Sequence, residues 1–169
     1  MNEPRDPQLF YFEDDGILPN NPKLPVVLYP GALSGKPEWA ESVFNGCGWH
    51  NSWENGVFDY HHYHSNAHEV LGVTHGTILI KLGGENGSSF DLQAGDVIVL
   101  PAGTGHKRIT ASADFRIVGA YPEGMDYNTR LGNDGRREQA IEEIARVPLP
   151  KTDPVYGDKG PLLEHWQIR

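Results

Sequence analysis

Between residues 57 and 121 the chain is a succession of short extended runs separated by glycine-containing turns, with proline kept out of the runs themselves. Segments of four to eight residues, rich in β-branched and aromatic side chains and spaced this closely, read as strands of an all-β sandwich or barrel. The expected strands are 57–64, 69–75, 77–82, 88–92, 97–100, 106–111 and 115–121. GGENG at 83–87 is a hairpin loop, and its Glu85 reads as a solvated turn residue.

The first of these runs carries the chemistry. FDYHHYHSNAHEV, residues 58–70, holds four of the chain's eight histidines and one glutamate. Side chains two apart on a strand share a face, so Phe58, Tyr60, His62 and His64 point one way, while His61 and Tyr63 point outward. After a turn at Ser65, Asn66 and Ala67, a hairpin brings Glu69 back beside the two imidazoles. A further candidate lies in GDVIVLPAGTGH, where Gly95 opens a strand, Pro101 and Gly103 turn the chain and His106 begins the next strand. Three histidines and a carboxylate form a mixed nitrogen and oxygen donor set that suits one divalent transition metal ion; Fe, Mn, Ni, Cu and Zn all remain open. His68 at the turn and His75, about 20 Å along the strand from Glu69, read as non-ligands. Arg108 shares a face with His106, as Tyr60 does with His62, so both are expected to reach a bound substrate, Arg108 through its planar fork.

Two motifs give this pattern a family. Gly56, five residues, His62, one residue, His64, four residues, Glu69, six residues and Gly76 resembles the first cupin motif throughout. Gly95, five residues, Pro101, one residue, Gly103, two residues and His106 is similar to the second. The family commonly has Asn four residues after the second-motif histidine, where this chain has Thr110, a position that is not a metal ligand in the family. The resemblance implies an all-β double-stranded β-helix, a jelly-roll barrel, with a few flanking helices and the metal held by His62, His64, Glu69 and His106. With a DDG-containing arm and a DPVYG-containing tail, the layout also resembles the small single-domain bacterial cupins of the YjlB type.

The flanks complete one domain over 1–169: an N-terminal arm and helix at 1–55, a two-motif core at 56–121, and a C-terminal helix and docking tail at 122–169. LFYF and VVLY in the arm read as strands. A helix follows, with Ser34 as its cap, Pro37 in the first turn, Trp39, Ala40, Val43 and Phe44 on one stripe, and Asn45 and Gly46 ending it. Cys47 reads as a small buried hydrophobe. A second helix starts near Asn133 or Asp134 and stops before Pro148. The last segment holds Val155, Tyr156, Leu162, Leu163 and Trp166, too much apolar surface for a free linker, so it is expected to dock.

Charge and composition exclude some functions. A formal charge of −9, with no Lys/Arg cluster to follow a phosphate backbone, argues against nucleic acid. No apolar run approaches the roughly 20 residues that cross a bilayer. One cysteine and an opening segment without a signal-like core point to a cytoplasmic protein. The arm's strand edges suggest a homodimer that covers them. The favoured function is a metal-dependent enzyme on a small anionic or hydroxylated molecule, of dioxygenase, isomerase or decarboxylase type. The alternatives are a non-catalytic binding or sensing cupin and a storage cupin with a vestigial site.

Overall fold

Two stretches that are apolar at every position, VVLY and VIVL, set the architecture, because a strand with no polar face must be covered on both sides. They form β2 (Val26–Tyr29) and β7 (Val97–Leu100), and all eight residues are buried. The computed structural model describes residues 6–167; the first five residues of the arm and the last two of the tail lie outside the described residues.

The remaining strands are β1 (Gln8–Phe10), β3 (Trp49–Asn55), β4 (Glu69–His75), β5 (Thr77–Leu82), β6 (Ser88–Gln93), β8 (His106–Ala111) and β9 (Arg116–Pro122). A six-stranded sheet runs β1-β2-β7-β4-β9-β3 and a three-stranded sheet runs β6-β5-β8, with every pairing antiparallel. Strand alternation sends Leu71, Ile98 and Ile117 of the large sheet inward against Ile78, Ile80 and Leu82 of the small one. Glu69 is in phase with Leu71, so the same alternation turns its carboxylate into the space between the sheets. This is the expected all-β jelly roll, with one refinement: the described strands form two facing sheets and do not close into a continuous hydrogen-bonded barrel.

The outer face of the large sheet is covered by the flanks. Helix α1 (Ala40–Gly46), preceded by a 3-10 turn at Pro37–Trp39, buries Ala40 and Phe44, whereas Trp39 is exposed rather than part of the buried stripe. Gly72 makes room for this contact, since a Cβ there would lie 2.7 Å from Cζ of Phe44. The tail docks as expected: Val155, Leu162 and Trp166 are buried against the same face. Helix α2 (Arg137–Arg146) begins a few residues later than Asn133 and covers the far end of the fold with Ala140 and Ile144. Among the described residues no helix is long and apolar enough to cross a membrane.

One expected strand fails. Residues 57–64 form only isolated bridges, His62 with His106 and Tyr63 with Arg130. His62 and His106 exchange both backbone hydrogen bonds, at 3.2 and 2.9 Å, but the amide of Arg108 then bonds the carbonyl of Phe58 rather than that of Tyr60. The register therefore slips by two residues across Asp59 to His61, and simple alternation no longer applies. The true neighbouring strand is β3, whose sequence is WHNSWEN. It pairs only with β9, at the edge of the large sheet, and is half exposed.

Candidate metal centre

His62 and His106 face each other across their backbone bridge with ring centroids 4.0 Å apart. His64 follows two residues later, and its carbonyl accepts the Gly103 amide at 2.8 Å, which ties the PAGTG turn beneath it. That turn needs glycine: Gly103 has φ +93°, and a Cβ would lie 2.6 Å from Cδ1 of Ile144 and 2.7 Å from the Asn20 carbonyl. One nitrogen from each of His62, His64 and His106 lies within 4.8 Å of the other two, and all three residues are buried. Glu69, the first residue of β4, adds its carboxylate: Oε1 is 3.4 Å from Nε2 of His64 and 3.6 Å from Nε2 of His106.

The outer contacts orient these groups. Nδ1 of His62 meets the Tyr60 carbonyl at 3.0 Å, Nδ1 of His64 the Asn128 carbonyl at 2.5 Å, and Nδ1 of His106 the Thr104 carbonyl at 3.0 Å. A carbonyl can only accept, so each Nδ1 carries a proton, and in the neutral imidazole that leaves Nε2 as the ligating atom. The Asn128 carbonyl is itself fixed, because that side chain accepts the Ser65 amide at 2.9 Å and donates to the Ser65 hydroxyl at 2.7 Å. On the carboxylate, Oε2 of Glu69 accepts the Tyr121 hydroxyl at 2.5 Å, and Tyr121 in turn accepts the Trp53 indole N–H at 2.8 Å.

Oε1 of Glu69 is left buried without a hydrogen-bond partner. Three Nε2 atoms converge beside this carboxylate oxygen, and with the imidazoles neutral their facing lone pairs are costly unless a cation neutralises them. Burial pulls the imidazoles of His62 and His106 below their ordinary value, His106 well below, which favours the neutral, ligating form. His64 is buried too, but the adjacent Glu69 carboxylate outweighs that and holds it above its ordinary value. Burial, reinforced by Glu69, pushes the Tyr121 hydroxyl upward, so it stays a proton donor to the carboxylate. The donor set thus fits a divalent transition metal.

A cavity of about 290 Å³ opens onto these four residues. Its walls are aromatic: Trp53, Phe58, Tyr121 and Tyr127, the last two stacked at 4.2 Å and 16°. Glu54 and Thr129 add polar groups, with Glu54 accepting the Thr74 hydroxyl at 3.0 Å and facing Arg116 at 3.5 Å. Neither Tyr60 nor Arg108 lines this cavity. The register slip leaves Tyr60 45% exposed and stacked on Phe58 at 5.0 Å, while Arg108 faces Asp59 at 4.0 Å on the surface.

The remaining predicted positions fall as follows. His61 is outside the cluster, 2.5 Å from Glu85, which is the exposed turn residue expected and also faces Lys81 and Lys107 at 3.9 Å. Tyr63 leaves the cavity side as expected but is buried, covered by Leu18, Ala140 and Ile144. His68 is buried and outside the cluster; its Nδ1 accepts the Ala102 amide, its ring packs on Trp166, and burial pulls it down to about 4. His75 bonds the Thr74 hydroxyl at 3.0 Å. Trp53, Tyr121, Tyr127 and Asn128 escaped the sequence reading. Tyr121 carried the one usable signal, since it is in phase with the apolar Ile117 on its strand.

Residues 52–118 match the cupin domain family. The chain is 44% identical over 162 residues, covering 96% of its length and 98% of the relative, to the Bacillus subtilis protein described as "Uncharacterized protein YjlB". The chain therefore belongs to the cupins, in the YjlB group. Among solved structures it is similar to tomato vicilin (15% identity, TM-score 0.41, covering 72% of this chain and 36% of that one). It is also similar to the acireductone dioxygenase of Bacillus anthracis (19%, 0.37, covering 53% and 60%) and to Bacillus subtilis oxalate decarboxylase (18%, 0.40, covering 64% and 28%). The chain thus spans less than two thirds of each of these three.

Proposed function

We propose that His62, His64, Glu69 and His106 hold one divalent transition metal ion and that the protein is a metal-dependent enzyme acting on a small molecule in the cavity above it. The observation that supports this reading is the buried, unpartnered Oε1 of Glu69 facing two of the three imidazoles whose Nδ1 atoms are held by carbonyls. When bound, such an ion supplies Lewis-acid or redox chemistry to a ligand oxygen. The chain's own residues orient the donors and wall the cavity. Its lining includes no lysine or arginine, so of the two substrate types expected from sequence the hydroxylated one is favoured over the anionic. Protein purified without chelators or a nickel column is expected to carry close to one equivalent of a transition metal by elemental analysis. Metal-free protein that also fails to take up Mn, Fe, Co, Ni, Cu or Zn on dialysis would end the proposal.

The same reading takes the chain as one cupin unit of the cytoplasm that works as a homodimer. Among the described residues strand β1 lies at the edge of the large sheet and pairs only with β2, an edge that a second copy would cover. Light scattering at micromolar concentration is expected to give the mass of two chains; the mass of one would refute this assembly.

A further inference from the structure

We propose that Asn55–Gly56 is a modification site, at which the chain deamidates and so changes the charge and the backbone of the cavity wall. The sequence holds three Asn-Gly pairs, Asn45–Gly46, Asn55–Gly56 and Asn86–Gly87. At such a pair the backbone nitrogen of the glycine attacks Cγ of the asparagine, closing a succinimide ring and expelling the side-chain nitrogen as ammonia. Water then opens the ring at either carbonyl, giving an aspartyl or an isoaspartyl residue. The sum is amide plus water to carboxylate plus ammonium, with no oxidant or reductant. Glycine favours closure because it has no Cβ to crowd the ring. Closure still requires the asparagine to turn about ψ until the glycine nitrogen comes within about 3–3.5 Å of Cγ, so a backbone held by hydrogen bonds suppresses it.

The fold holds two of the three pairs. Asn45 and Gly46 end helix α1; the Asn45 carbonyl accepts the Gly48 amide at 3.1 Å, and its side-chain amide donates to the Trp49 carbonyl at 3.0 Å. In the GGENG hairpin the Gly87 amide donates to the Gly84 carbonyl at 3.0 Å, and a Cβ on Gly87 would lie 1.7 Å from the Leu82 carbonyl oxygen, so this glycine is both bonded and wedged. Asn55 differs. It is the last residue of β3 and the last to pair with β9, opposite Ile117. Beyond it the chain is next anchored at the Phe58 carbonyl, which accepts the Arg108 amide at 2.9 Å. Among the described residues, neither the Asn55 side chain nor the Gly56 amide finds a hydrogen-bond partner. Both residues are exposed, and a Cβ built on Gly56 would meet nothing within 4 Å, so the ring has open space to form.

The position gives the reaction a consequence. Asn55 and Gly56 line the cavity above the three histidines, whose lining includes no lysine or arginine to offset a new carboxylate. The isoaspartyl product also runs the backbone through the former side chain, which adds a methylene to the connection from β3 to His62 and His64.

The test incubates full-length protein at mildly alkaline pH, with and without guanidinium, and maps amide-to-acid conversion by tandem mass spectrometry after chromatographic separation of the two products. In the native protein, conversion at Asn55 is expected to run at least about tenfold faster than at Asn45 or Asn86. In guanidinium, where the hydrogen bonds that hold the other two pairs are gone, the three rates are expected to converge to within about threefold. Asn55→Gln, which would have to close a larger ring, is expected to lose the main acidic species that native protein accumulates on ion-exchange chromatography. A native rate at Asn45 or Asn86 equal to or above that at Asn55, no native conversion at Asn55, or a tenfold preference for Asn55 that survives in guanidinium overturns the proposal.

Discussion

His106→Ala protein is expected to remain folded and to lose its metal, with affinity falling by more than the roughly 100-fold that loss of an outer-shell contact costs. His106 begins β8, whose pairing with β5 and backbone bridge to His62 do not depend on the imidazole, so the fold has no need of the side chain. The imidazole is nevertheless buried against both His62 and Glu69, and its removal deletes one of four donors and the support for the carboxylate. Tyr121→Phe is the graded counterpart. It keeps the ring stacked on Tyr127 but removes the hydroxyl that fixes Oε2 of Glu69, so the affinity should fall by about 10- to 100-fold while the metal can still be loaded at high concentration. Metal affinity measured by competition with a chromophoric chelator, with circular dichroism to confirm folding, separates the two. An unchanged affinity in folded His106→Ala protein would remove His106 from the site, and an unchanged affinity in Tyr121→Phe would remove the carboxylate's outer contact.

Much of this centre was legible because local rules suffice for it. Strands β4, β5, β7 and β8 end where the periodicity and glycine turns place them, and the two motifs bring His62, His64, Glu69 and His106 to one place. What was illegible depended on pairing between distant segments. Tyr60 was assigned to the cavity by alternation from His62, a rule that holds only while the ladder keeps its register, and the Phe58–Arg108 bond breaks it between them. Strand β3 was hidden because HNSWEN has neither an apolar run nor β-branched residues; it is a strand because β9 offers an edge. Tyr127 and Asn128 lie in an irregular loop with no period at all, and they reach His64 only because the Asn128 side chain grips Ser65 from 63 residues away.

The docked tail supplies the largest expected effect on stability. Asp153 is fully buried, and its carboxylate accepts four hydrogen bonds: Oδ1 from the amides of Val155 at 2.8 Å and Tyr156 at 3.0 Å, Oδ2 from the amide of Leu162 at 3.1 Å and from the Tyr29 hydroxyl. One side chain thus closes the DPVYG loop, caps the short helical segment α3 (Leu162–His165) and pins both to β2. Gly160 admits it, since a Cβ there would sit 2.1 Å from Cβ of Asp153. Asp153→Ala removes the acceptor shared by the Val155 and Tyr156 amides and the Tyr29 hydroxyl, leaves the Leu162 amide only the Tyr29 oxygen, and should cost about 4 kcal/mol, at the severe end for one substitution. Tyr29→Phe removes one donor to the carboxylate and the second acceptor of the Leu162 amide, but leaves the carboxylate its three amides, so about 1–2 kcal/mol is expected. Urea unfolding midpoints of the metal-free proteins provide the comparison. A smaller loss in Asp153→Ala than in Tyr29→Phe would mean that the tail is held by the burial of Val155, Leu162 and Trp166 rather than by this carboxylate.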